Sequence, residues 1–407
     1  MKNVVFFIFL SILVSCKPEI NQQNRIKEDV TFLASDALEG RQTGTEGEKK
    51  AAEYISKRFS ELGLQEKGTQ KYLQPFTFKP KTNPHDEVKF NVNGDGTITG
   101  NNVIGFLDNK AENTVIIGAH YDHLGFGGEG SLYRDSIKAI HNGADDNASG
   151  IAVLLNLAAK LKAKNTNNNF LFMAFSGEEM GLLGSNYFVK NPTIDTKKVS
   201  YMINMDMVGR MKKDSSLAVY GTGTSPIFKQ TLKSHNDNFK LIQQESGVGP
   251  SDHTSFYLTD IPVLHFFTGQ HEDYHKPGDD SEKLNYEGMH LISDYIFNII
   301  SDLDDNGKLT FRKTKNESES TPRFKVGLGV IPDYLFDGKG MRIDGVSEDK
   351  PAQKAGLKKG DIVIKLGDST VTNMMSYMRA LSIFEKGSTT KVVVKRGDKE
   401  VEKIIQF

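Results

Sequence analysis

Val115-Ile116-Ile117-Gly118-Ala119-His120-Tyr121-Asp122-His123 is the stretch on which the fold turns. Its first five residues form a short apolar run that reads as a strand. The side chains that follow change at once to imidazole and carboxylate. Outward from this stretch, apolar runs alternate with helical periods. Residues 170–175, 201–205 and 261–267 read as further strands, the last containing Pro262. Residues 46–62 read as a helix with Ala51, Ile55, Phe59 and Leu62 on one face and Gly63 as its stop. Residues 151–161 repeat the pattern with Ile151, Leu154, Leu155, Ala158 and Leu161. Helices are also expected over 180–189 and 291–303. In the polar stretch 85–101, Asn93-Gly94 and Asp95-Gly96 are hairpin signals. Strands alternating with helices predict an α/β fold, a mostly parallel central sheet sandwiched by helices.

In open α/β sheets, functional side chains collect at the carboxyl ends of the strands. His120, Asp122 and His123 follow the first strand. Asn142-Gly143-Ala144-Asp145-Asp146-Asn147 precedes the helix at 151–161. Ser176-Gly177-Glu178-Glu179, Asn204-Met205-Asp206, and His271 with Tyr274-His275 follow the other three strands. Five segments thus place a His, Asp or Glu at one edge of one sheet. Imidazole and carboxylate without thiolate suit borderline divalent ions, zinc first. Two histidines and three carboxylates, one of them shared, hold two ions and leave room for a water. A pair of ions activates such a water and polarises a carbonyl. A further carboxylate serves as general base.

From about Leu33 to Leu303 the chain resembles the bacterial co-catalytic di-zinc aminopeptidases, relatives of bacterial leucyl aminopeptidase, glutamate carboxypeptidase and glutaminyl cyclase. The resemblance is carried by Leu38-Glu39-Gly40-Arg41-Gln42-Thr43-Gly44-Thr45, Gly118-Ala119-His120-Tyr121-Asp122, the run Asn142 to Gly150, the run Ser176 to Ser185, Asn204-Met205-Asp206-Met207-Val208-Gly209 and Tyr274-His275. It implies the zinc-exopeptidase fold and removal of N-terminal residues from peptides. It assigns His120 and Asp206 to one zinc, Glu179 and His275 to the other, and Asp145 to the bridge. Glu178 would be the general base, and Asp122 would accept the far N–H of His120. It also implies a cis peptide at Asp145-Asp146, with Asp146 shaping the turn. Ser251, Asp252, His253 and Tyr257 resemble the loop beside the scissile carbonyl. Some relatives have a tyrosine where this chain has Val248, so the oxyanion donor passes to His253, Tyr257 or a backbone N–H. His123, His141, His265 and His271 are expected to pack or support, and Asp279 and Asp280 to tie down the loop of His275. The rivals on this scaffold are dipeptidase, carboxypeptidase, glutaminyl cyclase and a dead scaffold or adhesin. The intact Glu178-Glu179 pair with both histidines favours two metals.

Residues 1–15, with Lys2 and the apolar run from Val4 to Val14, read as a signal peptide too short to span a bilayer. Leu13-Val14-Ser15-Cys16 resembles a lipobox, whose cysteine is lipidated. Cys16 is the one cysteine, which excludes an intramolecular disulfide and a thiolate metal site. An exported lipoprotein follows, anchored to the cell envelope by a tether at 16–28. Lys17 resembles the outer-membrane sorting pattern of two-membrane cells. The peptidase domain is expected over 29–304 and a polar linker over 305–322. Residues 323–407 resemble a PDZ domain, small and β-rich. Its Gly327-Leu328-Gly329-Val330 is the loop expected to receive a peptide or protein C-terminus. The formal net charge of -1 carries no basic field, so nucleic acid is not an expected partner.

Overall fold

The computed structural model describes residues 22–80, 88–128, 130–135, 137–164, 166–315, 325–336, 338–347 and 349–407. The signal segment, Cys16 and residues 316–322 of the linker lie outside the described residues.

The strands in chain order are β1 (Gln65–Glu66), β2 (Leu73–Phe78), β3 (Ile98–Leu107), β4 (Asn113–His120), β5 (Asn168–Phe175), β6 (Val199–Met205), β7 (Ser216–Tyr220), β8 (Lys240–Gln244) and β9 (Val263–Phe267). They form one sheet in the order β1-β3-β5-β4-β6-β9-β7-β8, with β2 also paired to β3. The middle of the sheet is parallel, through β5/β4, β4/β6 and β6/β9. Antiparallel pairs, β3/β5 and β7/β9, flank it. The helices are α1 (Gln22–Leu33), α2 (Glu46–Glu61), α3 (Gly150–Lys162), α4 (Leu183–Lys190), α5 (Phe228–Ser234), α6 (His253–Tyr257) and α7 (Tyr286–Asp302).

Alternation along the central strands explains the sandwich. Val115, Ile117 and Ala119 of β4 point into the cluster that holds Ile26, Ile55, Leu154 and Ile296 of α1, α2, α3 and α7. Ile116 of β4, with Leu171 and Met173 of β5, points the other way, toward Phe188 of α4 and Phe256 of α6. Successive residues face opposite layers, so both must be apolar. Each such large side chain, fully buried, contributes about 1.5–3 kcal/mol.

The structure departs from the sequence reading in several places. The tether expected through residue 28 is already helix from Gln22, with Ile26, Val30 and Leu33 in the core. The strand expected from residue 261 begins at Val263, because Pro262 has no N–H and offers only its carbonyl, to Met202 N at 2.9 Å. The helix expected from residue 180 begins at Leu183, after a turn in which Gly181 N and Leu182 N both reach Glu178 O. Residues 309–315, expected as linker, lie against the first domain: Leu309 is buried, and Arg312 N donates to Thr224 O at 2.8 Å.

The C-terminal domain has β10 (Val330–Pro332), β11 (Met341–Val346), β12 (Ile362–Leu366), β13 (Ser369–Thr370), β14 (Thr389–Arg396) and β15 (Lys399–Gln406), with α8 (Pro351–Lys354) and α9 (Met374–Leu381). Its sheet is antiparallel throughout. It has its own core, around Leu328, Ile343, Val363, Val392 and Leu381. Asn373 and Ser376 form a reciprocal cap at the start of α9. Gly329 takes φ +73° and leads into β10, while Leu328 and Gly329 spend their carbonyls on Ala352 N and Ser347 N. Among the described residues no helix is long and apolar enough to cross a membrane.

Candidate active site

The carboxyl ends of β4, β5 and β6 and the loop after β9 deliver their acids and imidazoles to one place. His120, the last residue of β4, has Nε2 3.3 Å from Asp206 Oδ1 and 3.3 Å from Asp146 Oδ1. His275 has Nε2 3.2 Å from Asp146 Oδ2 and 3.3 Å from Glu179 Oε2. Its Nδ1 lies 2.8 Å from Gly130 O, which fixes the ring. Glu178 Oε2 lies 3.9 Å from His120 Nε2. Among the described residues, two groups are close enough to hold an ion: His120 with Glu178 and Asp206, and His123 with Asp146 and Glu179. His123, expected only to support, sits with Nδ1 2.8 Å from Glu179 Oε1. Of the two imidazoles on that side, His275 is the one equidistant from both carboxylates.

The place between the two imidazoles, expected of Asp145, is taken by Asp146. Asp145 turns away: Oδ1 accepts Gly209 N at 2.6 Å and Ser149 Oγ at 3.1 Å, and Oδ2 faces His271 Nε2 at 3.3 Å. The cis peptide is displaced in the same sense. It joins Asp146 to Asn147 rather than Asp145 to Asp146. Two adjacent acids in a turn give no periodicity from which to choose between them. The choice is made by partners far away in sequence. Asp279 Oδ2 accepts the backbone N–H of both Asp145 and Asp146, at 2.9 and 3.0 Å, so it ties this turn as well as its own loop.

Arg41 holds the same turn from the other side. This guanidinium is fully buried and donates to five carbonyls: Tyr121 O at 2.7 Å, Leu33 O at 2.8 Å, Gly143 O at 2.7 Å, Asp146 O at 3.4 Å, and Asn142 O. Burial draws it down to about 10, opposed by Asp146, Asp122, Asp279 and Glu179, so it stays charged at neutral pH. In the sequence it stood within the segment Leu38 to Thr45 that carries the resemblance, with no role of its own assigned. Arg41→Met is expected to cost about 3–5 kcal/mol, since it strips a buried cation from acids that stay behind. Arg41→Lys recovers part of this at most, because an ammonium cannot reproduce the fork. Urea denaturation of the three proteins measures both.

Asp122 supports the site differently from expectation. Its carboxylate accepts Glu178 N at 3.1 Å and Thr43 Oγ1 at 3.1 Å. His120 Nδ1 lies nearer to the Asp122 carbonyl, 3.2 Å, than to the carboxylate, 3.7 Å. Deeper still, Glu48 accepts Gly44 N, Asn101 N, Tyr121 OH and Ser176 Oγ, locking α2 to the ends of the strands.

The electrostatics report a crowd of acids. Burial presses the His120 imidazole down, yet Asp206 and Glu178, with Asp122 and Asp146, carry it well above its ordinary value. His275 is likewise raised, to about 11, by Asp146 and Glu179 against burial. Asp146 is held well below the usual carboxylate range by His120 and His275 despite burial, and Glu179 is drawn to about 2 with help from His123 and His275. Glu178 goes the other way. Burial raises it, and Asp206, Glu179 and Asp252 outweigh His120. Four carboxylates facing three imidazoles make a donor set that suits a divalent cation.

The loop resembling the carbonyl-side segment is mostly buried. Ser251 Oγ accepts Asn204 Nδ2 at 2.9 Å, and Asp252 is pushed by burial up to about 7. His253 is buried and stacked on His265, centroids 4.4 Å apart, and burial holds its imidazole well below the ordinary value. Tyr257, expected as an oxyanion donor, is corrected. Its hydroxyl bonds to Thr314, accepting Thr314 N at 2.9 Å, and ties down the segment after the first domain. Over the acids opens a cavity of about 160 Å³, the size that admits a benzene ring. Its outer walls are Met207, Tyr220, Pro250, Phe267 and, from the C-terminal domain, Tyr334.

Comparison with known proteins agrees with this architecture. Residues 102–300 match the model of peptidase family M28, and residues 309–405 match the PDZ domain. A probable leucine aminopeptidase of Trichophyton verrucosum is 34% identical over 173 residues, 40% of this chain and 44% of that protein. The chain thus spans about half the length of the curated relatives it matches. In fold, the chain is similar to a zinc aminopeptidase from Bacillus subtilis, with TM-score 0.53, 18% identity, and 71% of this chain and 98% of the other covered. It is equally similar to the glutaminyl cyclase of Porphyromonas gingivalis, with TM-score 0.54, 18% identity, and 69% and 98% covered. Over residues 102–300 the chain is thus similar to peptidase family M28, and the residues that follow are similar to the PDZ domain.

Proposed function

We propose that this protein is a metallo-aminopeptidase that removes N-terminal residues from peptides. The observation that carries the reading is Asp146, set between two imidazoles that each face a further carboxylate of their own. His120 and Asp206 would hold one zinc ion and His275 and Glu179 a second, with Asp146 between them. Two such ions supply a water acidified toward neutral pH and a polarised carbonyl. Glu178 takes the proton of the attacking water on its carboxylate and returns it to the leaving amine nitrogen. Asp122 holds the peptide N–H of Glu178, which positions that carboxylate. The apolar outer walls receive the terminal side chain and exclude water.

The lining of the cavity favours an amine end over a carboxylate end. Among the described residues, its lining carries Asp146, Glu178, Glu179 and Asp206, acceptors for a free ammonium, and no lysine or arginine. Those are the side chains that pair directly with a terminal carboxylate, which a carboxypeptidase must hold. Export, lipidation at Cys16 and outer-membrane sorting are part of the same proposal, as is capture of a peptide C-terminus by residues 327–330. They rest on the sequence motifs.

A panel of aminoacyl chromogenic amides with N-acetylated controls tests the reading on zinc-loaded protein. Cleavage of free amines alone, abolished by a chelator, with about two ions bound per chain, is the expected result. Cleavage of blocked substrates, or of none while two ions are bound, overturns it in favour of carboxypeptidase or dipeptidase activity. Fewer than two bound ions overturns the two-ion part.

A further inference from the structure

We propose that the C-terminal domain completes the substrate pocket, with Tyr334 as a specificity-determining residue for the terminal side chain. This rests on the function proposed above. Among the described residues, Tyr334 is the one outside the first domain that lines the cavity over the acids. Its ring meets Phe267 edge-on, centroids 6.2 Å apart and planes at 68°. Phe267 is the last residue of β9, so the contact sits where the strand ends open into the cavity.

The corner that carries Tyr334 is built and anchored. Asp333 Oδ1 accepts Leu335 N at 3.0 Å, and Arg342 Nε donates to Asp333 Oδ2 at 2.8 Å. Next to it, Leu335 is 3% exposed, packed with Ala218, Ile242 and Phe267 of the first domain. A Cβ at Gly269 would stand 2.8 Å from Leu335 Cδ1, so this approach needs a glycine there. Lys212 of the first domain reaches Asp344 Oδ2 at 3.1 Å and Asp333 Oδ1 at 3.7 Å. Apolar contact, close backbone approach and ion pairing thus fix one corner of the PDZ domain over the pocket. Without it, the cavity loses Tyr334 from its lining and Phe267 loses its edge-on partner.

The test compares the full chain with Tyr334→Ala and Lys212→Ala on leucyl, phenylalanyl and alanyl amides. Tyr334→Ala is expected to lower kcat/KM for the large side chains about 10-fold or more relative to alanyl. Lys212→Ala, which touches no substrate, is expected to reproduce part of that shift by loosening the corner. An unchanged ratio in Tyr334→Ala overturns the proposal. A second readout does not depend on turnover. The chain has no tryptophan, so Tyr334→Trp carries a single one, excited selectively beyond the tyrosine absorption band. Blue-shifted emission that changes with free L-leucine supports the proposal, and solvent-like emission indifferent to L-leucine overturns it. If the wild type cleaves no amine, the functional reading fails while this emission still decides whether the wall is in place.

Discussion

Glu178→Gln lowers turnover of aminoacyl amides by about 10²–10⁴-fold, the range expected when a positioned proton carrier is lost. The carboxyl lies within the cluster but contributes least to holding it together. Its Oε2 is 3.9 Å from His120, against 3.2–3.3 Å for Asp146, Asp206 and Glu179 to their histidines. Burial and three neighbouring acids push it upward, so its charge is unwelcome in the folded chain. The amide keeps the shape, removes that charge and cannot take a proton. Thermal stability should therefore be unchanged or raised, and the metal content unchanged, while kcat collapses. Steady-state kinetics beside a melting curve and elemental analysis separate these outcomes. Retention of more than about a tenth of the activity would assign the proton transfer to another group.

The second large effect separates two neighbours. Asp146→Asn is expected to reduce bound metal well below two per chain and to abolish activity, because each carboxylate oxygen faces a different histidine. Asp145→Asn is expected to keep the metal and lose stability, about 1–3 kcal/mol, since the neutral amide oxygen accepts less strongly from Gly209 N and Ser149 Oγ and an NH2 replaces the Oδ2 that faces His271 Nε2. Metal titration and urea denaturation of both variants form the comparison. If Asp145→Asn loses the metal and Asp146→Asn keeps it, the bridge lies where the sequence resemblance put it.

That pair marks the boundary of what was legible. The central strands could be read because burial on both faces leaves an unbroken apolar run, as in 115–119 and 170–175. β2 was not foreseen, since its exposure alternates and Pro75 interrupts it, nor was β8, with a single buried residue in Lys240–Gln244. Helix α1 reads as polar tether until Ile26, Val30 and Leu33 are seen on one face. The acids and imidazoles were legible as a set, because strand ends converge wherever the sheet is parallel. Their individual orientations were not. Those depend on Arg41 and Asp279, roughly 100 and 130 residues from the turn they hold. Tyr257 failed for a similar reason: its partner, Thr314, belongs to a segment read as linker.

Arg41 and Asp279 also bear on how the proposed ions would come and go. In small zinc modules the ligands are assembled by the ion, and affinity for it is folding free energy. Here a guanidinium and a carboxylate hold the ligand-bearing turn through its backbone, while the Asp146 carboxylate faces His120 and His275. The turn is thus held by protein groups and does not depend on an ion alone. Stripping the ions should then leave a chain that keeps its shape and regains full activity on reloading, a reversible exchange rather than a cycle of collapse and refolding.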